Sequence, residues 1–230
     1  DETMRDALKV AGDSLEMSIV LARESLSNLN KMILDNQNKP GSHAEVEVAE
    51  AKAIASKAAE KLLRTFDPAA HQYQTPEVVG ILYSSGEGGK EFASEILKLH
   101  LEVHQDDTAM RFFHAKLLLF LGKLDDAHAE ASIALNAPQL AVSIQSIQQY
   151  NIKPQIANVL FQTARNKIRA TQDEEEIDAI LLDARMYRDK LFDLVSSDIN
   201  HPLVLEADGD LNSGDLPPPA GPLNLRYAPL

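Results

Sequence analysis

Apolar residues recur every three or four positions through the first 35 residues, which is the spacing of one face of an α-helix. One additional four-residue step, between Leu15 and Ile19, interrupts the seven-residue period of a coiled coil. The pattern therefore predicts a long helix over 2–35 that packs on neighbouring helices. The stripe consists of Met4, Leu8, Ala11, Leu15, Ile19, Ala22, Leu26, Leu29 and Ile33.

A second long helix is predicted to follow a turn at 36–41. Ser42 and Glu45 have the spacing at which a hydroxyl and a carboxylate satisfy free backbone donors at a helix start. The helix ends at Phe66, before Asp67 and Pro68. Its many alanines allow close approach of a partner helix, so we expect an antiparallel hairpin that forms a domain over 1–70.

Seven further helices are predicted after the hairpin, and together they form the second domain, 71–198. Thr75 and Pro76 are typical of a helix start. Asp173 and Glu176 predict a capped start of the last helix, where acidic residues also suit the helix dipole. The predicted ranges are 75–83, 87–104, 107–121, 124–136, 139–149, 154–170 and 173–195.

The segment 199–230 differs in composition from the rest of the chain. It is rich in Pro, Gly, Asn and Asp and includes three consecutive prolines at 217–219. Such a segment does not fold alone, so we expect an extended arm that docks on the helical body or on a partner. The candidate docking residues are Leu223, Leu225, Arg226 and Tyr227.

A 34-residue repeat is visible in the middle of the chain, where Gly88 and Ala93 recur as Gly122 and Ala127. Repeats of this length are typical of solenoids built from helix pairs. The segment 112–138 carries small, large and turn residues in the order that resembles a tetratricopeptide repeat. These residues are Ala115, Leu118, Gly122, Ala127, Ala134 and Pro138.

The resemblance covers about 75–170, with one convincing copy and two degenerate ones in which Ala93 and Ala157 take the place of Ala127. A further recurrence at Ala59, before this range, stays open. It departs from the family at Arg111, where an aromatic residue is usual, and at Ala131, where a large ring is usual. We therefore predict an all-α fold: a helical hairpin followed by a short tetratricopeptide-like solenoid and the extended arm.

The tetratricopeptide family binds proteins or peptides in a groove lined by the first helix of each pair. By this resemblance, the candidate groove residues are Tyr83, Arg111, Lys116 and Gln145. Some members clamp a terminal carboxylate with lysines and asparagines, but Lys116 has no accompanying asparagine here. The block of Phe112, Phe113 and 117–121 is apolar around most of its helix, so we expect a buried central element.

Composition narrows the choice of partner. The net charge of −13 opposes binding to nucleic acid or to anionic lipid headgroups. No cysteine is present, so disulfides and thiolate chemistry are excluded. The longest apolar run is far shorter than the roughly 20 residues needed for membrane insertion. The compartment stays open, with the cytoplasm favoured, and because residue 1 is Asp1 a processed N-terminus also stays open.

Three weak patterns suggest bound ions or nucleotides. His100 and His104 lie one helical turn apart, as a metal site requires, but a third ligand would have to come from elsewhere, such as His114 or His128. The glycine-rich segment 84–90 departs from a phosphate-binding loop because Glu91 replaces the metal-binding hydroxyl.

The third pattern is the acidic segment 208–215, which has calcium-ligand spacing at Asp208, Asp210 and Asn212. It lacks the glycine at the sixth position and the glutamate at the twelfth. For all three patterns, we favour ordinary helix surfaces and turns.

We therefore expect a non-enzymatic scaffold or adaptor with no cofactor, no metal and no catalytic residues. Its partners would be proteins, including further copies of itself in a homo- or hetero-oligomer. The alternative is a structural subunit of a large assembly, such as a secretion apparatus, a motor or a virion, whose arm joins subunits. A third class, a helical metal-dependent enzyme centred on His100 and His104, is the least favoured.

Overall fold

The computed structural model describes residues 14–83, 88–137 and 152–212. Over these residues it contains nine α-helices and no strand, which confirms the predicted all-α fold. The chain divides into two compact units, Asp1–Met110 and Arg111–Leu230. The helices are α1 (Leu15–Asn38), α2 (Glu45–Thr65), α3 (Thr75–Tyr83), α4 (Gly89–Val103), α5 (Thr108–Phe120), α6 (Leu124–Asn136), α7 (Lys153–Ala170), α8 (Glu174–Leu194) and α9 (Pro202–Asn212).

In the first unit, α1 and α2 form the predicted hairpin. Buried residues of the α1 stripe, such as Leu26, face a surface of α2 that includes the fully buried Ala58 and Ala59. These small side chains allow close helix approach, as their spacing predicted. The start of the α1 pattern at residues 1–13 lies outside the described residues.

The turn between α1 and α2 differs from its prediction. α1 continues to Asn38 because the side chain of Asn36 bonds both backbone groups of His43 and tightens the connection. Ser42 does not cap α2, since its hydroxyl donates to the carbonyl of Lys39 at 2.7 Å. α2 begins at Glu45, after Ala44, whose N–H donates to the carboxylate of Glu47 at 2.9 Å.

Helices α3 and α4 pack on this hairpin in the same unit, α3 against α1 and α4 against α2. The predicted hairpin domain therefore shares one compact unit with the next helix pair. The centre of the unit is apolar and includes the fully buried side chains of Leu62, Val78, Leu82, Ile96 and Leu97.

In the second unit, α7 lies at the centre of the apolar core. Its Ile156, Leu160 and Phe161 are fully buried and share one cluster with residues of α5, α6, α8 and α9. The turn between α5 and α6 contains Gly122 at φ +72°, a left-handed conformation that glycine adopts without steric cost. The sequence identified that turn correctly.

The alanines of the repeat pattern share one property. Ala59, Ala93, Ala127 and Ala157 all have 0% of their surface exposed. Each lies where a larger side chain would have to displace its neighbours, since protein interiors are closely packed. The pattern of small residues therefore marks buried positions in both units.

The arm predicted as extended from residue 199 is wrong over 202–212, which forms α9. The sequence there is acidic and contains Gly209, so its own helix propensity is low. Packing compensates, because Val204 and Ala207 are fully buried against α7 and α8 and contribute to the unit's core. The docking residues Leu223, Leu225, Arg226 and Tyr227 lie outside the described residues.

None of the helices in the described ranges combines the length and apolar character that a membrane crossing needs.

Candidate functional site

The exposed side of α5 carries two aromatic rings and one cation. Phe113 and Phe120 are 37% and 61% exposed, and Lys116 between them is exposed as well. Spacings of three and four residues place the three side chains on one side of the helix. We call these three residues the α5 face. It presents two apolar anchors around a positive charge, which suits a peptide with large apolar side chains and an acidic group.

The α5 face corrects the prediction that this block is buried throughout. Phe112, Leu117 and Leu118 are buried as expected, but Phe113 and Phe120 are not. The spacing Phe113, Lys116, Phe120 contained the signal, because a lysine on a helix marks its solvent side and its neighbours three and four residues away share that side.

Arg111 does not line an open groove. Only 9% of its surface is exposed, and its guanidinium forms an ion pair with Glu130 of α6. The other carboxylate oxygen of Glu130 lies 3.5 Å from Nδ1 of His114. Burial alone raises the pKa of Glu130, but the contacts with His114 and Arg111 outweigh it and hold that pKa below its usual value. Arg111 therefore links α5 to α6 through a buried ion pair.

The other predicted groove residues are distributed differently. Lys116 is exposed on α5, as the prediction requires. Tyr83 ends α3 in the first unit, where it is 47% exposed and the ammonium group of Lys90 lies 5.5 Å from its ring centre. Gln145 lies outside the described residues. Only Lys116 of the four belongs to the α5 face.

His100 and His104 form a polar cluster inside the first unit. His100 is 1% exposed, with Nδ1 2.9 Å from the hydroxyl of Thr75 and Nε2 3.1 Å from the carboxylate of Asp107. Nε2 of His104 lies 2.8 Å from the carbonyl oxygen of Pro68. Both nitrogens of His100 have partners, so its ring tethers helices and offers no free ligand atom.

This cluster also explains how α5 begins. Asp107 accepts a hydrogen bond from the N–H of Met110 at 3.1 Å, which satisfies one of the free donors of the first turn. No set of three or more His, Cys, Asp or Glu side chains within the described ranges is positioned to hold a metal ion.

The calcium-like segment belongs to α9 instead of a loop. The carboxylates of Asp208 and Asp210 form ion pairs with Arg188 and Arg165. Carboxylates that neutralise arginines on a helix are not arranged around a cation. Of the glycine-rich segment, residues 84–87 lie outside the described residues, and Gly88 precedes α4 with φ +88°.

A pair missed by the sequence reasoning joins α6 to α8. The hydroxyl of Tyr187 lies 2.7 Å from Nε2 of His128, and the two rings meet edge to face. Burial lowers the pKa of His128 and raises the pKa of Tyr187. Tyr187 is only 8% exposed, so the pair serves to pack the helices. The two residues are 59 positions apart in the chain, and no local pattern could connect them.

No protein-family model, curated protein or solved structure matches this chain.

Proposed function

We propose that this chain is a non-enzymatic scaffold that binds a partner protein through the α5 face. The observation that carries the proposal is the exposure of Phe113 and Phe120 on either side of Lys116. Exposed aromatic side chains of this kind supply much of the binding energy when a partner covers them. The expected partner segment has two large apolar side chains and an acidic residue between them.

The resemblance to a tetratricopeptide repeat supports the same surface. In that family the first helix of each pair lines the groove, and α5 is the first helix of the pair α5–α6. Ala115, Ala127 and Ala134, which resemble the small residues of the repeat, are buried. The segment after Asn212, with Leu223, Leu225, Arg226 and Tyr227, is a proposed second contact with the partner.

The test compares a double variant of the α5 face, Phe113→Ser with Phe120→Ser, with a matched control, Leu182→Ser with Met186→Ser. Both control residues are exposed on α8, at 68% and 52%, so both variants remove two exposed apolar side chains. Affinity purification from native extracts identifies stoichiometric partners, and a titration then measures the affinity of each.

We expect the wild type and the control to bind alike and the α5-face variant to bind about 30-fold more weakly, which corresponds to about 2 kcal/mol of lost apolar burial. Equal binding by all three proteins would exclude the α5 face. Recovery of no stoichiometric partner by the wild type would count against the scaffold itself. Deleting 213–230 separately measures the contribution of the second contact.

A structural subunit of a larger assembly is the second candidate, and one observation favours it. The last described helix, α9, follows a short link and is attached to α7 and α8 by charged and polar contacts as well as by the buried Val204 and Ala207. Terminal elements of this kind join subunits when they pack on a neighbouring copy. A monomer at all concentrations would exclude this candidate.

A further inference from the structure

The groove between α7 and α8 is charged where α9 lies on it. Arg188 of α8 is 4% exposed and contacts both carboxylate oxygens of Asp208, at 2.5 and 2.7 Å. Its guanidinium carbon also lies 5.2 Å from the ring centre of Phe192. Asp208 of α9 therefore shares the neutralisation of this buried cation with Asp189 of α8, whose carboxylate lies 3.5 Å from Nη1.

Two further contacts extend this match along α9. Arg165 of α7 forms an ion pair with Asp210 at 2.5 Å, and the amide of Gln162 donates to Glu206 at 3.1 Å. The polar residues 206, 208 and 210 of α9 thus face donors from both helices of the groove. The groove is complementary to an acidic helix, and any copy of α9 satisfies it equally.

The link between α8 and α9 is short and conformationally strained. Ser196 and Ser197 have φ values of +59° and +60°, a region that serine enters only at a steric cost. This left-handed conformation ends α8. It allows the N–H groups of Ser196 and Ser197 to donate hydrogen bonds back to the carbonyls of Asp193 and Phe192. An opened link would release that strain.

We propose that the α7–α8 groove accepts α9 from a second copy of this chain, so that two copies exchange their α9 helices. Every contact of α9 within one chain is remade between the chains, while the left-handed turn at Ser196 and Ser197 opens. Exchange of an identical element across a strained hinge is a low-cost route to a dimer. The inference does not rest on the proposed function, because the α5 face takes no part in it.

The test uses two charge-reversed chains, Arg188→Glu and Asp208→Arg. Each alone places like charges opposite each other within the chain. Mixed in equal amounts, the chains regain two opposite-charge pairs only if each α9 occupies the other chain's groove. We expect each chain alone to be monomeric by light scattering and the mixture to form a dimer of twice the monomer mass.

The double variant Arg188→Glu with Asp208→Arg in one chain is the control for folding, since it restores an opposite-charge pair internally. It should match the wild type in oligomeric state at every concentration. A mixture that stays monomeric while this control is folded would overturn the proposal.

A second pair of variants changes the link alone and keeps the proposal testable if a charge-reversed chain fails to fold. Deleting Ser196 and Ser197 removes the left-handed turn that returns α9 to its own groove, so we expect this chain to dimerise. Ser196→Gly with Ser197→Gly removes the strain from both links of the dimer and should lower its association constant by at least roughly tenfold relative to the wild type. A monomeric deletion variant, or a glycine variant with an unchanged constant, would count against exchange.

Discussion

Arg188 and Asp208 form a bidentate ion pair, with Nε to Oδ1 at 2.5 Å and Nη2 to Oδ2 at 2.7 Å. The parallel geometry uses the planar fork of the guanidinium fully. The arginine side chain is 4% exposed and the aspartate 29% exposed. The pair therefore lies between a surface ion pair, which contributes little, and a fully buried one.

Replacing Arg188 with Met should loosen α9, because Asp208 then loses the charge that compensates its partial burial. We expect a loss of about 2 kcal/mol in the free energy of opening α9, or about a 30-fold faster hydrogen exchange of its amides. Mass spectrometry of exchanged peptides covering α9 measures the effect.

The matched control for Arg188→Met is Arg64→Met. Arg64 forms an exposed pair with Glu60 at 3.7 Å, and such pairs contribute less than about 1 kcal/mol. If Arg64→Met accelerated hydrogen exchange in α2 as much as Arg188→Met accelerates it in α9, the geometry of the Arg188 pair would add nothing to stability.

Ser196→Gly should stabilise the monomer by about 0.5–1 kcal/mol. Ser196 follows the end of α8 at φ +59°, and helices that end in such a left-handed residue usually have glycine there, so removing its Cβ relieves the steric conflict. Chemical denaturation at low protein concentration measures the change.

Ser27→Gly controls for the greater backbone freedom of glycine in the unfolded chain. Ser27 is exposed inside α1, so this substitution should destabilise by about 0.5 kcal/mol. Changes of the same sign in both variants would contradict the conformational explanation.

The second unit should lose stability in acid, because the stabilising contribution of the Glu130 carboxylate is lost on protonation. Its pKa is held below the usual value in the folded state, so its contribution is complete above the unfolded pKa of about 4.3 and is lost as the pH falls through the folded value. Glu130→Gln should flatten the stability profile in this range. Denaturation curves between pH 3 and 6 would test this, and an unchanged slope in the variant would exclude Glu130 as the cause.

His128 should make the stability of the second unit depend on pH in a higher range than Glu130 does. Burial lowers its pKa in the folded state, and the nearby Lys167 lowers it further. The unfolded chain then binds more protons just below pH 6.5, so stability falls as the pH drops through that range. His128→Gln should remove this dependence while keeping a partner for the hydroxyl of Tyr187. A pH profile between 5 and 7.5 that is identical in both proteins would contradict this role.

The helices were predictable because their apolar spacing is local. The bounds of α6 match the sequence prediction, and those of α3 do as well, since both starts and ends carry strong signals. The start of α2 was not predictable, because Ser42 has a competing acceptor in the carbonyl of Lys39. α9 was missed because its own composition opposes a helix and only contacts from α7 and α8 stabilise it.

The candidate site was predictable only in part. Lys116 is a charged residue and was recognised as exposed, whereas Arg111 has the same charge and is buried against Glu130, 19 positions away. A sequence does not show which arginine has an acidic neighbour in space. Phe113 and Phe120 were assigned to the core because large apolar residues are most often buried.

The two contacts of the buried His100 ring, with Thr75 and Asp107, have a spectroscopic consequence. An ionised carboxylate only accepts hydrogen bonds, so the contact with Asp107 requires a proton on Nε2 of His100, while the Thr75 hydroxyl lies 2.9 Å from Nδ1 and 3.5 Å from the carbonyl oxygen of His71. That imidazole proton is shielded from solvent and exchanges slowly. It offers a label-free nuclear magnetic resonance signal that reports the integrity of the first unit while the second unit is mutated.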